Sequence, residues 1–198
     1  MMSDKFIVPR YSENPKIFIE YWSSFYAYEL EPYYTKNIKK PFKDFDSFHQ
    51  LYVWKNGMNL SEKKLPSVKR LYKKSKNYKK YNKKFSELVF EKEFELSKSK
   101  NSSIWMMFLM HLFRPSDYPL FDQHVYRAFY FINDSIIKEI PPANKKKYSF
   151  FKDIYIPWFR SLKSQTGLSG KTLDEGLFTL GKYLSQAQNN PKKIKALL

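Results

Sequence analysis

Apolar residues recur along this chain at spacings of three and four, the repeat of α-helices that turn one face to a core. Over residues 15–30 the apolar set is Ile17, Tyr21, Phe25 and Tyr28, and Asn14-Pro15 supplies a cap and a first-turn proline, predicting the first helix. Residues 31–44, with Pro32, Pro41 and four lysines, read as loop. Asp46-Ser47 then caps a short helix over Phe48, Leu51, Tyr52 and Val53, and Asn56-Gly57 ends it. A cap at Ser61, with Pro66 soon after, opens a long helix in which Val68, Leu71, Tyr72, Tyr78, Tyr81 and Phe85 recur. A further helix over 85–96 carries Leu88, Val89 and Phe94, and residues 98–103 break it.

Residues 104–113 are apolar on every side, the pattern of a central helix surrounded by others. Pro115 and Pro119 then force a turn, and Asp122 leads a helix with Val125, Phe129 and Ile132 on one face. Pro141-Pro142 closes that unit, and 148–163 and 172–185 read as two last helices separated by Thr166-Gly167 and Ser169-Gly170. Neither a period-two strand nor an internal repeat is present. The pattern therefore predicts an all-α, multi-helix fold of seven or eight helices, with 1–198 as one domain that has room for two lobes and a cleft.

Composition narrows the function. The apolar run at 104–113 is about half the length that a membrane-spanning helix needs, so no membrane role is expected. Residues 1–10 hold no apolar stretch of signal-peptide length, which points to a cytoplasmic protein, nucleoid-associated if bacterial. The chain has no cysteine, excluding disulfides, thiolate zinc sites and thiol nucleophiles. Its five glycines form no phosphate-cradling loop, so nucleotide cofactors are not expected. Lys and Arg outnumber Asp and Glu by 36 to 19, a net charge of +17, while 19% aromatic content argues for a folded chain. Such a field attracts polyanions, and release of phosphate counterions favours nucleic acid among them. Eleven of the basic residues fall in 63–84, where only Glu62 opposes them nearby. That helix is either a surface that tracks phosphates or a solvated face.

The stretch with most chemical content is RPSDYPLFDQHVYRAF, residues 114–129, which places Asp122 at a helix start with His124 and Arg127 beside it. Aspartate is among the best N-cap residues, so a capping role and a catalytic one are both open here. The three histidines, His49, His111 and His124, are too scattered for a triad, and His111 in its apolar helix reads as a core residue. Asp174 and Glu175 are adjacent on a helix and do not face each other, so no metal site is expected there. Gly176 and Gly181 on that helix permit close approach of a neighbour. Trp22, Tyr26, Trp54, Trp105 and Trp158 are either core residues or walls for an unstacked base.

The order of apolar helix, proline turn and Asp-x-His-hydrophobic at Asp122, His124 and Val125 resembles the core of the helix-hairpin-helix DNA glycosylases, in particular the branch acting on 8-oxoguanine. The resemblance spans roughly 85–132. It implies a glycosylase-like DNA-binding protein in which Asp122 supports excision of a damaged or modified base and His124 touches a phosphate. It further implies backbone contacts from Lys98, Lys100, Ser102, Ser103 and Arg127, alongside Lys73, Lys76 and Lys80 of the basic helix, with duplex DNA as partner and neither metal nor cofactor. The family's glycine-containing hairpin is replaced here by Ser97-Lys98-Ser99-Lys100-Asn101, and its lysine nucleophile by Ser103, which implies hydrolysis without a lyase step. The alternatives are a non-catalytic nucleic-acid-binding or regulatory protein on the same scaffold, and a module that docks an acidic protein.

Overall fold

The computed structural model describes residues 14–78 and 102–187. These fall into two compact units, one built from 27–78 and 102–117, the other from 14–26 and 118–187. Both are helical, with no strand among the described residues, so the all-α expectation holds.

The first unit contains α2 (Glu31–Asn37), α3 (Phe45–Asn56), α4 (Leu65–Tyr78) and α5 (Ser103–Phe113). Helix α2 corrects the expectation of a loop over 31–44. Pro32 sits in its first turn, where a missing N–H costs nothing and the fixed φ suits the helix. Tyr34 and Asn37 are buried, and Asn37 Nδ2 donates to the Tyr33 carbonyl at 2.8 Å and to Gln50 Oε1 at 2.9 Å. The cap of α3 is Asp44 rather than Asp46-Ser47: the Asp44 carboxylate accepts from the Ser47 amide at 2.7 Å, while Asp46 accepts from Gln50 Nε2. Gly57 ends α3 at φ 79°, in the left-handed region that favours glycine.

Helix α4 follows a turn in which the Ser61 carbonyl accepts from the Lys64 and Leu65 amides. Its expected continuation to residue 84, the helix over 85–96 and the part of the expected 98–103 break up to residue 101 lie outside the described residues; Ser102 is the N-cap of α5 and Ser103 already belongs to that helix. Helix α5 is buried from Met106 to Leu112, the surrounded helix its composition predicts. His111 is satisfied within it by the Tyr34 hydroxyl, 2.7 Å from Nε2.

The second unit holds α1 (Pro15–Ser23), α6 (Gln123–Asp134), α7 and α8 (Gly170–Ala187). Helix α1 stops at Ser23 instead of running to residue 30. The Ser23 and Ser24 hydroxyls donate back to the Glu20 and Tyr21 carbonyls at 3.0 and 2.7 Å, a local alternative that competes with continued helix. Helix α7 is continuous over 144–166, longer than expected at both ends. It consists of α-helix Asn144–Phe150, a π-helical turn Phe151–Tyr155, and α-helix Ile156–Thr166, ended by Gly167 at φ 67°. Counting α7 once gives eight helices among the described residues.

The two glycines of α8 do what their spacing predicts. A Cβ on Gly176 would lie 2.9 Å from the Ile19 carbonyl oxygen, and one on Gly181 would overlap the His124 carbonyl. Helix α8 thereby seats α1 against one glycine and the first turn of α6 against the other.

Candidate functional site

Asp122 stands between the buried Leu120-Phe121 pair and the first turn of α6, in extended backbone with φ −161° and ψ −172°. This conformation turns its carboxylate back over the helix, where Oδ1 accepts from the His124 amide at 2.9 Å and the Val125 amide at 3.1 Å. The N-terminal end of the helix dipole favours a negative charge at that point.

Two residues that the linear pattern did not single out for chemistry share these surroundings. Tyr155, the last residue of the π-helical turn, is fully buried, and its hydroxyl has no hydrogen-bond partner among the described residues. Burial pushes its phenol well above the ordinary range, and the negative charges of Asp174 and then Asp122 push it further. Its ring packs 5.2 Å from that of Phe121. Asp174 is itself buried, on the inner face of α8, while Glu175 turns away to meet Lys171 at 3.4 Å. A signal for Asp174 existed: it shares the helical stripe of Leu177, Gly181 and Leu184, all buried. Nothing in the sequence announced Tyr155, because its position depends on the π-turn and on tertiary packing.

The companions of Asp122 are engaged within the protein. The His124 ring stands edge-on to Phe178 at 5.1 Å, and its Nδ1 lies 3.4 Å from Arg127 Nη1. Arg127 is buried and forms a two-point bond with Glu139, Nε to Oε1 at 2.9 Å and Nη2 to Oε2 at 2.8 Å. Its guanidinium thus ties α6 to the segment that follows it.

The residues expected to hold phosphates divide differently. Helix α4 buries Val68, Leu71 and Tyr72 and exposes Lys69, Arg70, Lys73 and Lys76. Lys69, Lys73 and Lys76 have no carboxylate partner among the described residues, and Lys76 Nζ rests 4.7 Å from the centre of the Tyr72 ring. Ser102 is exposed and makes no side-chain capping bond to α5, whereas Ser103 is buried. Lys80, Lys98 and Lys100 lie outside the described residues.

Of the aromatic candidates, Trp22 and Trp54 are buried, and Trp54 Nε1 donates to Glu31 Oε2 at 3.1 Å. Trp105 and Trp158 are half-buried against Tyr52 and Phe129. Tyr26 packs on Phe178 with Lys171 Nζ 5.0 Å from its ring centre. All five make ring contacts with other aromatic side chains. Among the described residues no group of three His, Asp or Glu side chains is placed to hold a metal ion, and no helix is long and apolar enough to cross a membrane. Compared with family models, curated proteins and solved structures, the chain matches none.

Proposed function

We propose that this protein binds duplex DNA through the lysine face of α4 and hydrolyses an N-glycosidic bond, with Asp122 as the carboxylate that supports base excision. The observation that carries the reading is the setting of Asp122, a half-buried aspartate fixed by two backbone amides at the start of α6. Breaking an N-glycosidic bond builds positive charge on the sugar near C1′. A carboxylate held rigidly at that point stabilises the charge and orients the attacking water. The target base leaves the duplex first, at a cost in unstacking that DNA-backbone contacts help offset.

A second reading, a non-catalytic DNA-binding protein on the same scaffold, is favoured by one specific fact. Two amide bonds to Oδ1 are the full signature of an N-cap and require no chemistry. Duplexes carrying 8-oxoguanine, uracil or alkylated bases, incubated with the protein and then treated with alkali to reveal abasic sites, separate the two. The expected result is excision of at least one lesion by the wild type, and a folded, DNA-binding Asp122→Asn variant slower by about a hundredfold or more. Asparagine ranks with aspartate as a cap, so folding is retained. Binding without excision of any lesion establishes the second reading, and excision retained by Asp122→Asn removes Asp122 from the chemistry.

A further inference from the structure

We infer that a lysine-lined cleft at the start of α3 is a second phosphodiester-binding site, continuous with the basic face of α4, so that a single nucleic-acid backbone passes over both. The inference rests on the DNA-binding part of the proposed function and does not involve Asp122.

The cleft encloses about 420 Å³ between the end of α2, the link that follows and the first turns of α3. Four exposed lysines line it: Lys36, Lys39, Lys40 and Lys43. Among the described residues only Lys43 of these reaches a carboxylate, that of Asp44 at 3.8 Å, with both side chains largely in water, where such a pair is worth little. Lys36, Lys39 and Lys40 have no carboxylate partner among the described residues. The two acids in the lining are already engaged, Asp44 by the Ser47 amide and Asp46 by Gln50 Nε2. Asp44 also occupies the N-terminus of α3, so the attraction for an anion comes from the ammonium groups and not from the helix end. Holding these like charges side by side costs repulsion, which a bound polyanion relieves.

The chemistry of the lining selects the ligand. No aromatic ring faces the cleft, so a base has nothing on which to stack. Lysines suit phosphate as point charges. A sugar-phosphate chain fits that combination, and a nucleotide recognised by its base does not. A residue beside the cleft also packs on α4. Phe45, next to Asp44, packs its ring 5.5 Å from that of Tyr72 on α4, and Lys69 and Lys76 stand one turn to either side of Tyr72. The Phe45–Tyr72 contact ties the first turn of α3, beside the cleft, to the helix that carries Lys69, Lys73 and Lys76, which is the basis for one backbone passing over both.

The test compares two triple variants of the full chain, Lys36→Gln/Lys39→Gln/Lys40→Gln in the cleft and Lys69→Gln/Lys73→Gln/Lys76→Gln on α4, for affinity to a short duplex across a salt series. Every substituted side chain is exposed, and thermal melting checks that both variants fold. The expected result is that the cleft variant binds at least about tenfold more weakly at low salt, and that its log–log salt dependence falls by about 2.7, since each of three lost phosphate contacts removes roughly 0.9. The corresponding Lys→Arg triple keeps wild-type behaviour. A cleft variant with wild-type affinity and slope, beside an α4 variant that loses both, overturns the cleft and leaves DNA binding intact. A wild-type chain that does not bind the duplex overturns both. Polyglutamate of matched charge that displaces the duplex as well as DNA does overturns the choice of a phosphodiester ligand in favour of an acidic polypeptide.

Discussion

Asp44 and Asp122 perform the same local task, each closing the N-terminus of a twelve-residue helix from extended backbone, yet their surroundings have little in common. Around Asp44 the neighbours are water, the Ser47 amide and exposed lysines. Its carboxyl is held below the ordinary range first by the Ser47 amide bond and then by the Ser47 side chain, with Lys43 adding to the effect. Around Asp122 the neighbours are a buried phenol without a hydrogen-bond partner among the described residues, the buried carboxylate of Asp174, and a helix seated on glycine. Capping geometry alone therefore does not distinguish the two aspartates. What distinguishes them is that the first region has its unbalanced charge on the surface, where an external polyanion can reach it, and the second has polar groups enclosed where their burial carries a cost.

The largest way to break the comparison is Gly181→Ala. The added methyl meets the His124 carbonyl, which is backbone and cannot swing aside, so the first turn of α6 shifts with its cap. A loss of about 3 kcal/mol in denaturant unfolding is expected, with Gly176→Ala costing less because part of its contact is the Ile19 side chain. A melt within error of the wild type would show that α8 does not seat α6.

Tyr155→Phe sharpens the comparison. Removing a buried hydroxyl that has no partner among the described residues relieves its desolvation cost, and stability is expected to rise by about 1 kcal/mol. A fall in melting temperature would instead show that the hydroxyl is satisfied in solution. The smallest effect belongs to Asp44→Asn. The folded pKa of Asp44 is depressed, so its contribution to stability is present above the unfolded value and is lost as pH falls through the folded one. The variant is expected to melt slightly below the wild type near neutrality and to converge with it in acid. A difference that does not change with pH would contradict that linkage.

Legibility followed the range of the interactions involved. Caps and stops were readable where one residue settles the matter, as with Gly57 and Gly167 in left-handed backbone and Asp122 at the head of α6. Helix α5 was readable because burial on all sides leaves no polar face, and Gly176 and Gly181 because only small residues admit a backbone so near. Helix α2 is hidden in the sequence because Pro32 reads as a breaker, although proline suits a first turn, and the order of Lys36 to Lys43 around one cleft is hidden with it. The end of α1 is not visible in the sequence because serine hydroxyls turning back on the backbone leave no break in the apolar spacing. Asp122, Tyr155 and Asp174 lie on separate helices or at their ends, and only tertiary packing assembles them.

The placement of α1 also bears on how the chain is assembled during synthesis. Trp22 packs against Tyr183 at 5.4 Å and Ile19 against Gly176, so the first described helix is completed by the last, while every segment of the unit between them is made in the interval. At about 5–20 residues per second, α1 waits on the order of ten seconds for its partner to emerge. Over that time the whole sequence of the intervening unit, residues 27–117, is made, whereas Ile19 and Trp22 await cover. A ribosome paused before α8 would therefore carry one finished unit and one unclosed apolar face, the natural target for a chaperone that recognises nascent chains.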